Sequence, residues 1–169
     1  MNVQLKNIRF SEAMSEETEA FTADFYINGK KIGYCKNTGQ GGPTDYRPYN
    51  PEDWSVIREA EEHFKSLPKV HSERFNFDYQ PTLELAIGDC LDEWLKAKEQ
   101  KKMERKMKTC ILVGKPSPDR LNYGYYNFKR PLSEFPTKQL QDAIDRIKTK
   151  IPKGEVILNT NLEALGVNV

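Results

Sequence analysis

Apolar residues recur along this chain with two spacings, every second residue or every third to fourth, and the changes between them outline the predicted elements. Val3, Leu5, Ile8 and Phe10 open the sequence with a change of parity after Leu5, which predicts a strand with a bulge or a frayed edge. Residues 11–19 are polar and acidic, a loop or a solvated strand end. Phe21, Ala23, Phe25 and Ile27 then alternate with Thr22, Asp24 and Tyr26, and Asn28-Gly29 separates them from residues 30–36. Asn-Gly suits the two-residue type I′ hairpin loop, whose two central residues both need positive φ. The turn predicts that Ile27 pairs with Lys30, Phe25 with Ile32 and Ala23 with Tyr34, placing the apolar side chains of both strands on one face.

Helical spacing takes over after a glycine-rich stretch. Asn50-Pro51-Glu52-Asp53 predicts a helix start, with Asn as N-cap, Pro in the first helical position and acids in the first turn. Tyr49 and Trp54 stand where a hydrophobic staple would, and Trp54, Ile57, Ala60, Phe64 and Leu67 form the stripe that Pro68 ends. Residues 69–81 predict a loop, aromatic at Phe75, Phe77 and Tyr79. From Thr82 a second helix carries Leu83, Ile87, Leu91 and Trp94 and continues to about Lys108. Residues 110–113 predict a buried strand and residues 123–129 its aromatic hairpin partner. A third helix over residues 137–150 presents Leu140, Ile144, Ile147 and Ile151, and Pro152-Lys153-Gly154 turns the chain into a last strand over residues 156–158. No repeat or linker divides the chain. The order predicts one α+β domain spanning residues 1–169, an antiparallel sheet with about three helices packed on it.

Composition changes this picture little. Net charge is +1, from 26 Lys+Arg against 25 Asp+Glu, so an electrostatic partner must be met by a local patch and not by total charge. Cys35, Cys90 and Cys110 are an odd number and far apart, and with His63 and His71 they make no conventional zinc site without carboxylates. Free thiols, no metal and no cofactor are expected. Nothing approaches the roughly 20 apolar residues of a membrane span, so the expected place is the cytoplasm of a bacterium or of a host cell, with no membrane partner.

Two stretches carry candidate chemistry. In the turn Asn37-Thr38-Gly39-Gln40-Gly41-Gly42-Pro43, glycines leave backbone amides open to form a nest for a small anion, with Asp45 and Tyr46 just beyond. The same turn reads equally as a strand-to-helix connection whose glycines serve geometry alone. Residues 96–108 hold seven basic residues, among them Lys101, Lys102, Arg105 and Lys106, against Glu99 and Glu104. The helix dipole accounts for part of that excess, and nucleic acid or an acidic protein surface for the rest. Tyr123 and Tyr125 fall on one face of their strand, with Tyr126 and Phe128 on the other, as core residues or as a platform for bases. Gly114-Lys115 lacks a phosphate loop's first glycine, which Thr109 replaces, and Pro116-Ser117-Pro118 cannot open the helix that such a loop requires.

At Asn28-Gly29-Lys30-Lys31-Ile32-Gly33, followed by Asn37-Thr38-Gly39-Gln40-Gly41-Gly42, the sequence resembles a group of small uncharacterised bacterial and phage proteins. These share an N/D-G-K-K-[IV]-G hairpin, an N-D-G-x-G-G turn, and a helix ending in a Lys/Arg run before a strand, which falls on residues 94–113 here. Thr38 stands where the group has Asp. The resemblance carries no function over; its phage members associate it with counter-defence or host takeover. The expectation is a non-enzymatic binding or inhibitor-type protein that docks on a host macromolecule or captures a nucleotide-like anion at the turn. Alternatives are an enzyme acting on a nucleotide or phosphoester, and a nucleic-acid-binding protein using the basic helix end.

Overall fold

The computed structural model describes residues 1–73, 76–116 and 122–168. Its strands are β1 (Val3–Phe10), β2 (Phe21–Ile27), β3 (Lys30–Asn37), β4 (Asp45–Pro48), β5 (Val70–Ser72), β6 (Phe77–Tyr79), β7 (Cys110–Gly114), β8 (Tyr123–Asn127) and β9 (Val156–Ile157). Its helices are α1 (Trp54–Ser66), α2 (Leu83–Met107) and α3 (Thr137–Lys148). The α+β class, the antiparallel pairing and the three helices are those the element order predicts. The strands form a four-stranded sheet in the order β1-β2-β3-β4, a β5-β6 hairpin and a three-stranded sheet in the order β8-β7-β9. Contacts gather the chain into two compact units, Met1–Trp94 and Leu95–Val169.

In the first unit, Asn28 and Gly29 both adopt positive φ, 50° and 82°, and Ile27 faces Lys30 as a type I′ turn dictates. Further along, the ladder departs from the predicted register. Phe25 faces Gly33, leaving Ile32 as the extra residue of a bulge, and Ala23 pairs with Cys35 instead of Tyr34. The bulge has a packing reason: Ile32, Gly33 and Cys35 are all buried, while Tyr34 turns outward to Tyr49. A Cβ on Gly33 would strike the Arg47 carbonyl, so glycine there lets β4 close on β3. Strand β4 was not predicted; its Pro48 lacks an amide donor, which a strand at the sheet edge tolerates. The parity change in β1 is a register shift between Lys6 and Arg9, with Asn7 at φ 53°.

Phe21, Phe25, Ile27 and Ile32 are buried, as are Ile57 and Ala60 of α1 and Leu83, Ile87 and Leu91 of α2. Burial also pushes the Cys35 thiol up to about 12. Pro51–Asp53 forms a 3-10 turn ahead of α1, and Asn50, at its N-cap position, makes no side-chain cap bond. That tighter entry rotates Trp54 off the buried stripe, and Tyr49 and Trp54 are both exposed. Asp53 is buried against Lys30, 2.6 Å away. The predicted loop 69–81 contains the β5-β6 hairpin, and Phe75 lies outside the described residues. On the open side of the first sheet, Asp24 accepts from Lys31 at 2.9 Å, Asn7 at 2.7 Å and Tyr49 at 2.8 Å. The Lys31 bond, helped by those of Asn7 and Tyr49, holds its carboxyl at about 2.

The second unit is built around β7, every residue of which is buried. Ile111 and Val113 meet Leu140, Ile144 and Ile147 of α3, together with Leu132, Leu162 and Val167. Cys110 and Leu112 point the other way, to Met103 and Met107 of α2. Strand β9 is only two residues long, so a side chain extends its ladder. Asn159 accepts from the Leu112 amide at 2.7 Å and donates to the Cys110 carbonyl at 3.0 Å.

Two predictions follow from these networks. Asn159→Ala leaves a buried amide and a buried carbonyl unpaired, and urea unfolding should show a loss of about 3 kcal/mol; a loss under about 1 kcal/mol would refute the role given to Asn159. The folded-state pKa of Asp24 lies below its ordinary value, so its contribution is complete above about 3.8 and disappears as pH falls toward about 2. Asp24→Asn should therefore lower the melting temperature at neutral pH and flatten its fall across that acid window. Parallel melting-temperature profiles for the two proteins would contradict the assignment.

Candidate functional site

The predicted anion turn is a hairpin loop between β3 and β4, stitched to the segment before β2. The Asn37 side-chain oxygen accepts from the Gly39 amide at 2.9 Å and from the Thr18 hydroxyl at 2.8 Å, while its amide donates to the Gly42 carbonyl at 2.9 Å. Thr18 Oγ1 in turn accepts from the Gly41 amide at 3.2 Å. The Gly39 carbonyl takes the amides of Glu16, Glu17 and Thr18 at 3.0, 2.9 and 3.2 Å. Gly39 and Gly41 have φ of 87° and 81°, and a Cβ would run into the Met14 carbonyl at the first and the Glu17 carboxylate at the second. The two amides best placed for a nest are thus used inside the protein, and the Glu17 carboxylate lies against Gly41. Thr38 and Gln40 are exposed.

Asp45 and Tyr46 do not join this loop. Asp45 faces Lys36 across the ladder and lies 3.2 Å from Arg47 Nε. Tyr46 points to the opposite side of β4, against Phe25, and donates to Glu61 at 2.7 Å. Burial, then the bond to Glu61, raises the phenol above its ordinary value and keeps it a proton donor. Beside it Glu61, Lys65, Thr82, Leu83 and Glu84 line a small cavity of about 230 Å³. Across the β5-β6 hairpin His71 meets Asp78 at 2.7 Å, a pairing that the sequence did not reveal, with both residues exposed.

The basic helix end is arranged differently. Met103 and Met107 turn to β7, and at about 3.6 residues per turn Lys101 and Arg105 fall on the other side of α2, with Lys108 in the turn that follows the helix; all three are exposed. Among the described residues these three make no ion pair, whereas Lys102 meets Glu99 at 3.2 Å. Lys106 lies between the two sides, with Nζ 5.0 Å from the Tyr123 ring centre and 4.6 Å from that of Tyr125. The basic run and the aromatic strand, separate features in the sequence, therefore meet at Lys106. Backbone bonds from Phe128 to Thr109 and from Leu132 to Lys108, 2.9 and 2.8 Å, bring the turn holding Lys129 and Arg130 alongside the helix end. The Arg130 guanidinium stacks 3.9 Å from the Phe135 ring centre.

Sequence reasoning missed the division of charge, although a sum taken by segment would have found it. Residues 95–169 hold 16 Lys+Arg against 8 Asp+Glu, and residues 1–94 hold 10 against 17, net charges of +8 and −7. Among the described residues no group of three or more His, Cys, Asp and Glu side chains gathers as metal ligands, and no helix is long and apolar enough to cross a membrane. Ser117 and Pro118, which follow the Gly114-Lys115 pair, lie outside the described residues. Compared with known protein families, curated proteins and solved structures, the chain matches none.

The loop geometry separates two glycines. Gly39→Ala sets a Cβ against backbone at positive φ and should cost about 2 kcal/mol or more. Gly42, with open space around it, should accept alanine within about 0.5 kcal/mol. Equal melting temperatures for the two variants would show that the loop is not the tight knot described.

Proposed function

We propose that the protein binds nucleic acid through the exposed basic side of α2 and the adjoining turn at Lys129 and Arg130, acting as a binding protein and not as an enzyme. The observation that carries this reading is the convergence of Lys101, Lys102, Arg105, Lys106 and Lys108 with Lys129 and Arg130 on a unit of net charge +8. A helix dipole favours cations only within the last turn, and Lys101 and Lys102 lie farther back than that. Lys101, Arg105 and Lys108 are exposed and make no ion pair among the described residues, and such a group of cations suits a polyanion, whose bound counterions are released on contact. The exposed tyrosines on β8 favour nucleic acid over an acidic protein surface, since a base offers a π-face to an aromatic ring and a carboxylate does not. The glycine turn is left out of the interface because its Gly39 and Gly41 amides are engaged and Glu17 lies against Gly41.

Titration of single-stranded and duplex oligonucleotides over a salt series tests the reading. The triple variant Lys101→Gln, Lys102→Gln, Arg105→Gln should bind at least tenfold more weakly, with a log K against log salt slope shallower by about 2. Its melting temperature should stay close to that of the parent. An unchanged slope, or equal binding of the parent to polyglutamate, counts against nucleic acid.

A further inference from the structure

We infer that the nucleic acid taken up by this face is single-stranded, held by stacking of an unpaired base on Tyr125. The inference rests on the nucleic-acid reading of α2 and goes beyond it by naming the form of the ligand. Strand β8 is the outer strand of its sheet, and its aromatic side chains are left at the surface, Tyr125 55% and Tyr126 39% exposed. A tyrosine ring this open is not needed by the core, whose α2-facing side is filled by Met103, Met107, Cys110 and Leu112.

Lys106 links the rings to the charged side. Its ammonium sits over Tyr123 and Tyr125, and Lys102 is one helical turn behind it. A strand passing this edge meets a π-face and cations in succession, so a base can lie on the open side of Tyr125 while its flanking phosphates face Lys106 and Lys102. In a duplex, base faces are occupied by their neighbours in the stack, and only the charge would be used. Aromatic platforms of this kind contribute about 1–3 kcal/mol per stacked base, a factor of roughly 5 to 150 in affinity.

The test uses the full chain and four probes of about twelve nucleotides at one salt concentration: oligo-dT, oligo-rU, an abasic deoxyribose-phosphate strand and a duplex. The better of the two single strands should bind at least tenfold tighter than the abasic strand and tighter than the duplex; whichever wins also identifies the preferred sugar. Tyr125→Ala should remove that advantage, and Tyr125→Phe should keep it. Abasic or duplex binding as tight as single-strand binding, still lost in the triple charge variant, overturns stacking and leaves the charge-based reading standing. Failure of the parent to bind any probe at low salt overturns both.

Discussion

Burial of Met103 and Met107 under β7 fixes the rotation of the second half of α2, and the candidate site is a consequence of that rotation. The two side chains are four residues apart and form one stripe with Cys110 and Leu112. Once they face inward, the helical repeat carries Lys101 and Arg105 outward. The reverse orientation would bury ammonium and guanidinium groups, at several kcal/mol per ion, so there is one way for this segment to pack. Lys106 lies beside Met107 at the margin of the stripe, where its stem covers apolar surface and its ammonium reaches the tyrosine rings. Such a contact contributes about 0.5–1 kcal/mol at an exposed position, enough to bias where the side chain rests and weak enough to yield to a phosphate.

The platform beside the helix depends on β7 in another way. With apolar side chains buried on both faces, β7 also needs backbone partners along both edges. Strand β8 supplies one edge, and the other is completed by β9, the Leu158 amide and the Asn159 side chain. Strand β8 has a partner on one side only, so it can be spared for display while its register is set by the strand behind it. The turn after β8 is tied back to residues 108 and 109 by backbone bonds, which place the main chain of Lys129 and Arg130, while the Phe135 ring supports the Arg130 guanidinium.

Much of this was legible in the residues, and the failures have physical causes. Asn28-Gly29 announces its turn because few other residue pairs tolerate two successive positive φ values, and the ends of α2 and α3 follow from spacing alone. The register beyond the turn was not legible. Pattern counting treats each strand as an ideal ladder, whereas the bulge at Ile32 is driven by which side chains fit inside and by the approach of β4 to Gly33. Strand β4 itself was hidden because Pro48 and the polar Asp45 and Arg47 give it no alternating apolar signature. For the site, the residues were named but their neighbours were not: nothing in the sequence says that Tyr46 faces Glu61, or that Lys106 covers Tyr125. Both contacts join residues 15 or more positions apart, and only packing brings them together.

Whole-chain charge was the wrong quantity to consult. At physiological ionic strength a charge is felt over about 8 Å, so a docking partner responds to one patch and not to a sum over 169 residues. A total of +1 is compatible with no preference at all and equally with two strongly charged units of opposite sign, and the second is the case here. The same point bears on the glycine turn. Its sequence suggests an anion site because amides are positive, but its unit carries −7 and the nearest carboxylate lies against Gly41. An anion entering there would lose its hydration while Gly39 and Gly41 keep their internal bonds. On the basic side of α2, Lys101 and Arg105 are exposed and make no ion pair among the described residues, so a phosphate gains Coulomb attraction there without displacing an internal partner. That difference, more than the count of polar groups, is what separates the two surfaces.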